Sequence, residues 1–581
     1  MVDVFAEIRE LVIAELTAQL GKDPDDFDAS AITIERPKTV AHGEVATNAA
    51  ITAAKGAGRQ PRELAVGLAA SLQTDPRMAS VEVAGPGFLN MRLKPEVWKE
   101  NLRSVIRAGS SYGGNDRGNG RRVNLEFVSA NPTGPLHVGH ARGAVFGDAL
   151  GRLLEFTGHD VTREYYLNDG GAQVDTLARS AHLRYLEALG KEIAFASGDY
   201  RGDYLCQVGV ALKETYGDRF VGRPEEEWLD RFRKFAVDAM LDSIREDLYL
   251  LGIRMDRFFS EVSLYQDGRI DDAIEQLRQR GLIYEGELLP PKGGHEVDWE
   301  PRKQTLFRST AHGDDTDRPI RKADGSWTYF APDIAYHYDK ISRGYDELIN
   351  VFGADHSGYS KRISAVVSAL SDGRTPIDVK LTQLVRVIKD GGAAKMSKRA
   401  GEFVQLRDAV SAVGPDVTRF VMLMRRNDAQ LDFDFEKVRE QSKENPVFYV
   451  QYAHARICSA IRKVAQSGID TDDARLAEAS LERLGHPDQI ALARRIAEWP
   501  RIVDLASRNH EPHRVAFFLN ELASEFHSLW SQGNREPELR ILQESDLPGT
   551  TARTALARSV AVVISCGLSI LGVKPMHEMR N

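Results

Sequence analysis

Ser129-Ala-Asn-Pro-Thr-Gly-Pro-Leu-His-Val-Gly-His140 decides how this chain is read. Before it, Val123-Asn-Leu-Glu-Phe-Val128 alternates apolar and polar residues as a strand does. After it, Val145, Phe146, Ala149, Leu150, Leu153 and Leu154 recur at helical spacing, and Gly158 supplies a stop. The stretch is therefore a loop leading from a strand into a buried helix. Pro132 and Pro135 stiffen it, while Gly134 and Gly139 let the backbone approach something closely. His137 and His140 stand at the start of the helix, where backbone N–H groups and the dipole favour anions. The combination predicts a phosphate site, which any ATP- or dinucleotide-using enzyme could own.

Length and composition set the bounds. A chain of 581 residues fits three domains better than one, and its 42% apolar and 28% charged content is that of an ordinary globular protein. The net charge of −9 means that any nucleic-acid contact must come from local patches. Cys206, Cys458 and Cys566 lie far apart with no CxxC pair, which fits a reducing compartment and speaks against a disulfide framework or a cysteine-rich zinc site. The first twenty residues are amphipathic and carry Asp3, Glu7, Arg9, Glu10 and Glu15, unlike a signal peptide. The longest apolar run, 560–573, is too short to span a bilayer. The expectation is a cytoplasmic protein with no membrane partner.

Read in order, residues 1–108 form a small α+β domain. Val81-Glu-Val-Ala-Gly-Pro-Gly-Phe-Leu-Asn-Met-Arg-Leu93 predicts two strands around a Gly-Pro-Gly turn, with Phe88 either core or exposed. Residues 109–121 are a glycine-rich linker. From 122 to 385, strands predicted near 123–128, 161–167, 327–331, 348–353 and 381–388 alternate with helices, apart from a charged helical insertion at about 175–280. That pattern is α/β: a Rossmann-type, doubly wound parallel sheet with ligands at the carboxyl ends of its strands. Residues 386–440 are a loop with connecting helices. Residues 441–581 are helical throughout, with equal numbers of basic and acidic residues.

A second signal is Lys389-Asp-Gly-Gly-Ala-Ala-Lys-Met-Ser-Lys-Arg-Ala-Gly401. Lys395 and Lys398, with Ser397 between them, suit a leaving pyrophosphate, and the glycines let such a loop close. Either motif alone is weak. Together, after the first and last strands of one sheet, they face the same rim. This pairing resembles the two nucleotide-binding motifs of class I aminoacyl-tRNA synthetases, with Val138 for the usual Ile and Arg399 for the usual Ser. Tyr165-Tyr-Leu-Asn-Asp-Gly-Gly-Ala-Gln173, Gly325-Ser-Trp-Thr-Tyr-Phe-Ala-Pro-Asp-Ile-Ala-Tyr336, Gly353-Ala-Asp-His-Ser-Gly-Tyr359 and Tyr449-Val-Gln-Tyr-Ala-His-Ala-Arg456 extend the resemblance to bacterial arginyl-tRNA synthetases over essentially the whole length.

The resemblance implies that arginine and ATP give arginyl-adenylate and pyrophosphate, and that the arginyl group then passes to the terminal adenosine of tRNA(Arg). His137 and His140 would serve as donors and Lys395 and Lys398 as the mobile clamp. Gly139, Met396 and Ser397 complete the ATP contacts, and Mg²⁺ arrives with ATP rather than at a protein-built metal site. A guanidinium favours a carboxylate that accepts two parallel hydrogen bonds. The resemblance places Tyr329 and Asp333 at the arginine side chain, with Glu261 as a second carboxylate. The α-amino and carboxylate ends go to Ser129, Asn131 and His140, assisted by Asp355 and His356, with Glu126 on the same rim. The N-terminal domain would meet the D-loop corner of the tRNA through Phe88 and Asn90. The helical C-terminal domain would bind the anticodon through Tyr449 and Tyr452, although a tyrosine pair at helical spacing is more often core, and through Met579 in the tail. A monomer is expected. The cysteine enzyme of the same class would show cysteine zinc ligands, and small-molecule nucleotidyltransferases with HxGH are far shorter; a non-catalytic RNA-binding paralogue would not need His137, His140, Lys395 and Lys398 intact.

Overall fold

The strand Arg122–Glu126 lies in the middle of a five-stranded parallel sheet. The spatial order is Ile377–Thr382, Glu347–Gly353, Arg122–Glu126, Asp160–Leu167, Arg257–Ser260. The first of these five strands in the chain is central and the chain winds away from it in both directions, so a switch point falls between it and Glu347–Gly353. Ligands of doubly wound sheets bind there, at the carboxyl edge. The 129–140 stretch leaves the sheet at this point. This computed structural model describes residues 3–37, 39, 42–288, 303–389, 392–393, 403–440 and 445–578.

Three details of the sheet depart from the sequence expectation. The polar residues of Val123-Asn-Leu-Glu do not face water: Asn124 and Glu126 are buried, because helices cover both faces of a central parallel strand. The expected strand at 327–331 is reduced to a single antiparallel bridge of Trp327 with Arg321, and the helix Phe330–Ser342 begins within it. Its aromatic residues favour a strand locally, but Pro332 falls in the first helical turn, where a missing N–H removes no hydrogen bond. The run at 381–388 divides into Ile377–Thr382 of the parallel sheet and Val385–Lys389, which pairs with Leu431–Asp434 and Gly392–Ala393.

The helical stretch expected at 175–280 also contains a sheet strand, Arg257–Ser260, too short at four residues to show a period. Helices Ala172–Ala188, Tyr204–Tyr216 and Glu225–Leu250 precede it. A small antiparallel sheet of Ile283–Gly286, Gln304–Phe307 and Arg318–Pro319 follows.

Towards the N-terminus, helices Val4–Leu20, Ala49–Ala57 and Pro61–Leu72 accompany a four-stranded antiparallel sheet. Asp3 caps the first helix by accepting from the Phe5 and Ala6 N–H groups. The expected hairpin is there as Met78–Ala84 and Phe88–Leu93. The helix Pro95–Ala108 packs instead on the C-terminal helices Asp473–Ala477, Pro487–Ala497 and Leu547–Leu571. The glycine-rich segment that follows is held as well: Trp499 Nε1 donates to the Tyr112 carbonyl at 2.9 Å, and a Cβ on Gly113 would stand 2.3 Å from the indole nitrogen.

The apolar run at 560–573 extends into the 25-residue helix Leu547–Leu571, which by length and composition could cross a membrane. Most of it is buried inside the protein. Its last carbonyl, on Leu571, accepts from Arg419 Nε at 2.8 Å. The same guanidinium donates to the Leu251 carbonyl at 2.9 Å and pairs with Asp148 on the helix Val138–Phe156.

Candidate active site

The loop that leaves Arg122–Glu126 begins with strain. Val128 has φ +69° and Ser129 φ +39°, and the Ser129 N–H donates back to the Phe127 carbonyl at 3.0 Å. This is a γ-turn with positive φ on a β-branched residue, worth about 1–3 kcal/mol of strain. The surroundings hold it in place. Ser129 Oγ donates to Glu126 at 3.1 Å and accepts from the Tyr166 N–H at 3.0 Å. Tyr165 and Tyr204 donate to the carbonyls of Ala130 and Thr133 at 2.6 and 2.7 Å. Asp247 accepts from the Leu136 N–H at 2.9 Å and, through its other oxygen, from Arg407 Nε at 2.9 Å.

His137 is the N-cap of the helix Val138–Phe156, and its backbone N–H donates to His140 Nδ1 at 3.1 Å. Because Nδ1 accepts, the proton of neutral His140 sits on Nε2. The two rings stack at 3.6 Å, and a Cβ on Gly139 would stand 2.8 Å from the His137 ring. The backbone of 136–138 pairs with 404–406: Val138 N–H to the Val404 carbonyl at 3.1 Å, and Leu406 N–H to the Leu136 carbonyl at 2.8 Å. The chain returning from the Lys-Met-Ser-Lys motif therefore runs directly onto the His-Val-Gly-His motif. Lys395, Met396, Ser397 and Lys398 themselves lie outside the described residues.

Beside this loop, aromatic side chains surround two carboxylates that feel each other's charge. Asp333, in the first turn of Phe330–Ser342, accepts from the Tyr359 hydroxyl. Glu261 accepts from Tyr166 at 2.9 Å and from Tyr265 at 3.5 Å. Tyr166 itself packs on Tyr336, with ring centres 4.5 Å apart. Burial pushes the Asp333 carboxyl up to about 7, with the charges of Glu261 and Glu126 adding to the shift against the Tyr359 hydrogen bond. Burial raises Glu261 as well. Among the described residues neither carboxylate has a cation in ion-pair range, so a cationic guest between them would lower both pKa values.

Glu126 differs. Buried Lys340 donates to its other oxygen at 2.7 Å and to Asn350 Oδ1 at 3.0 Å. Asn350 Nδ2 in turn donates to His337 Nε2 at 3.0 Å, and His337 Nδ1 donates to the Asp333 carbonyl at 2.8 Å. Burial, aided by the Lys340 charge, pushes His337 down to about 3, so it stays neutral and its two nitrogens keep these roles. An unbroken buried chain thus ties the turn bearing Asp333 to the turn bearing Ser129. It holds Glu126 and Ser129 in place, and Asn131 at that corner is exposed. Sequence reasoning missed Lys340, His337, Asn350, Asp247 and Tyr166. The available signal was a lysine and a histidine on the apolar face of one helix.

Tyr329 is the N-cap of the same helix and is 71% exposed, hydrogen-bonded to Arg362 at 3.1 Å, with its ring 6.4 Å from that of Tyr359. Asp355 and His356 face each other at 3.5 Å on the exposed turn Ala354–Tyr359. That turn begins at the carboxyl end of Glu347–Gly353 and ends in Tyr359.

A family of class I tRNA synthetase catalytic domains, described as the arginine type, matches residues 101–458. The arginyl-tRNA synthetase N-terminal domain matches 6–93 and the DALR anticodon-binding domain matches 450–579. The arginine–tRNA ligases of Paracoccus denitrificans and Ruegeria pomeroyi are 62% and 60% identical, over 100% of each chain. The chain belongs to the arginyl-tRNA synthetase family. The putative arginyl-tRNA synthetase structure from Campylobacter jejuni has a TM-score of 0.72 at 30% identity, covering 84% of this chain and 100% of that one. The Thermus thermophilus arginyl-tRNA synthetase has the same fold, with a TM-score of 0.73 at 19% identity and coverage of 99% and 100%.

The surfaces that this synthetase was expected to offer RNA are arranged as follows. Phe88 is 43% exposed, which removes the core alternative, and Asn90 and Arg92 follow it on the outer face of the strand while Leu89, Met91 and Leu93 face inward. Tyr449 and Tyr452 lie on the helix Pro446–Gln466, either side of His527, with ring centres 4.6 and 5.6 Å away. Tyr452 is 40% exposed, and the Arg456 guanidinium covers its ring at 4.2 Å. Tyr449 is the more buried partner. Met579 lies outside the described residues. The fold brings His454, Cys458 and His577 together. His577 is more than a hundred positions from its partners, so no spacing rule could find it.

Proposed function

We propose that this arginine–tRNA ligase seats the arginine guanidinium between Asp333 and Glu261 and the ATP phosphates at His137 and His140. Lys395 and Lys398 close over the pyrophosphate, with Gly139, Met396 and Ser397 lining the nucleotide. The enzyme joins arginine to tRNA with ATP as the second substrate. Mg²⁺ enters with ATP. The observation that carries the assignment is the pair of half-buried carboxylates with raised pKa values and, among the described residues, no ion-pair partner, next to the 129–140 loop. A planar guanidinium donates to two carboxylates at once, where the neutral urea of citrulline supplies no charge.

With the side chain anchored there, the amino-acid head reaches Asn131, His140 and the 129–131 backbone, aided by Asp355 and His356, with Tyr329 at the mouth. The arginine carboxylate attacks the α-phosphorus and pyrophosphate leaves; no protein nucleophile is needed. Donors at His137 and His140 meet the charge that builds on the phosphates, and the positioning of the two reactants supplies the rest of the acceleration. A hydroxyl of the terminal adenosine then attacks the carbonyl and AMP leaves. Phe88 and Asn90 meet the tRNA corner, and Tyr449, Tyr452 and the tail at Met579 meet the anticodon. We assign these tasks to residues 1–108, 122–385 and 441–581 respectively for corner, chemistry and anticodon, joined by 109–121 and 386–440, in a cytoplasmic monomer that needs no membrane.

The decisive experiment is steady-state arginylation by Asp333→Asn. The KM for arginine should rise at least 100-fold while the KM for ATP stays within threefold, a loss of about 3 kcal/mol in guanidinium binding. An unchanged arginine KM would place the guanidinium elsewhere.

A further inference from the structure

On the helix Pro446–Gln466, His454 and Cys458 stand four residues apart and therefore on one face. The C-terminal segment crosses this face. Gln451 donates to the Lys574 carbonyl at 3.1 Å, and the Met576 carbonyl lies 2.8 Å from His454 Nδ1. His577 follows. Cys458 Sγ is 3.7 Å from His454 Nδ1 and 3.7 Å from His577 Nδ1, and the three donor atoms lie within 4.8 Å of one another.

These distances match metal coordination. Zinc bonds of about 2.3 Å to sulfur and about 2.05 Å to imidazole nitrogen, at a tetrahedral angle, hold the two ligand atoms about 3.6 Å apart. The outer shell is present as well. Buried His454 uses its other nitrogen, Nε2, on Ser565 Oγ at 2.9 Å, the kind of contact that fixes ring and tautomer in metal-ligating histidines.

We propose that His454, Cys458 and His577 bind a thiophilic divalent cation of the zinc class, which clasps the C-terminal segment to the helix Pro446–Gln466.

Binding releases the Cys458 thiol proton to solvent and takes both imidazoles neutral. His454 Nδ1 exchanges its hydrogen bond to the Met576 carbonyl for the metal, its proton residing on Nε2 towards Ser565. The fourth position falls to the Met576 carbonyl oxygen or to water. The cations around the cluster are already matched. Arg462 donates to the His577 carbonyl at 3.3 Å and pairs with Glu578 at 3.4 Å, and Arg558 is bidentate on Asp473. The clasp sits two turns or less from Tyr452 and Arg456, so occupancy fixes the segment that leads towards Met579.

The test is a Co²⁺ titration of the reduced, tag-free full chain, followed by absorption. One equivalent should give a thiolate-to-cobalt charge-transfer band together with the visible bands of a four-coordinate site, and Zn²⁺ should displace it one for one. Cys458→Ser should abolish the charge-transfer band and Cys206→Ser retain it. His577→Ala, which alters an exposed residue, should weaken Co²⁺ binding at least about tenfold. In the parent chain Zn²⁺ should slow amide exchange at 574–578. The proposal is overturned if folded chain with a titratable Cys458 thiol gives no thiolate band, if the band survives Cys458→Ser, or if His577→Ala binds Co²⁺ as tightly as the parent.

Discussion

Lys340 Nζ lies 2.7 Å from a carboxylate oxygen of Glu126, and both side chains are buried. Removing one member leaves the other as an uncompensated internal charge, which costs about 3–5 kcal/mol. Lys340→Met and Glu126→Gln should each lower the urea midpoint by that measure, and the double variant should recover part of the loss. Strict additivity in the double-mutant cycle would mean that the pair does not act as a unit.

Asp333 carries a carboxyl raised from its ordinary 3.8 to about 7. The folded chain therefore holds this proton where the unfolded chain has lost it, so the contribution of Asp333 to stability falls as pH rises from about 4 to about 7. Arginine requires the ionised form. Its KM should climb as pH drops below about 7, by roughly tenfold per pH unit, and calorimetry in two buffers should show proton release on binding near pH 6. Asp333→Asn should flatten that slope. A wild-type KM constant between about pH 6 and pH 8 would contradict the assignment.

Asp247 joins the Leu136 N–H to Arg407, in the helix that follows the 394–402 segment. Asp247→Ala leaves a buried N–H without its acceptor, a loss of about 1–3 kcal/mol. Because Leu136 adjoins His137, tRNA-dependent ATP–pyrophosphate exchange should fall about tenfold or more while tRNA affinity in a filter assay is preserved. Equal losses in both would point to general unfolding.

Phe88 is exposed and separable from the catalytic chemistry. Phe88→Ala should leave the thermal midpoint unchanged, since surface substitutions of this kind stay within about 0.5 kcal/mol. Loss of one base stack is worth about 1–3 kcal/mol, so the KM for tRNA should rise by roughly ten- to hundredfold. Arginine and ATP constants should not move. A tRNA KM within twofold of the parent would remove Phe88 from the interface.

The sequence exposed what is local. A strand, a loop with His137 and His140 and a helix lie within some thirty-five residues, so their spacing alone predicts the turn at the carboxyl edge. The apolar alternation at 123–128 misled on exposure, because the partners that accommodate Asn124 and Glu126 come from Glu164, Lys340 and Asn350 on other elements. Arg257–Ser260 was hidden by its brevity, and the helix start at Phe330 by the strand preference of the aromatic residues around it. Charge matching at this site was visible only as residue types: the sequence supplies Asp333 and Glu261, whereas their mutual proximity and burial are properties of packing.

Arg419 is a single joint between parts of the chain that handle different ends of the tRNA. Its guanidinium grips the last carbonyl of the long C-terminal helix, the Leu251 carbonyl and, through Asp148, the helix that begins at the histidine motif. Hydrogen bonds tolerate only a few tenths of an ångström before they weaken. A joint gripped in three directions has almost no backlash, so a push on the far end of Leu547–Leu571 arrives at the helix of His140 as displacement rather than as slack.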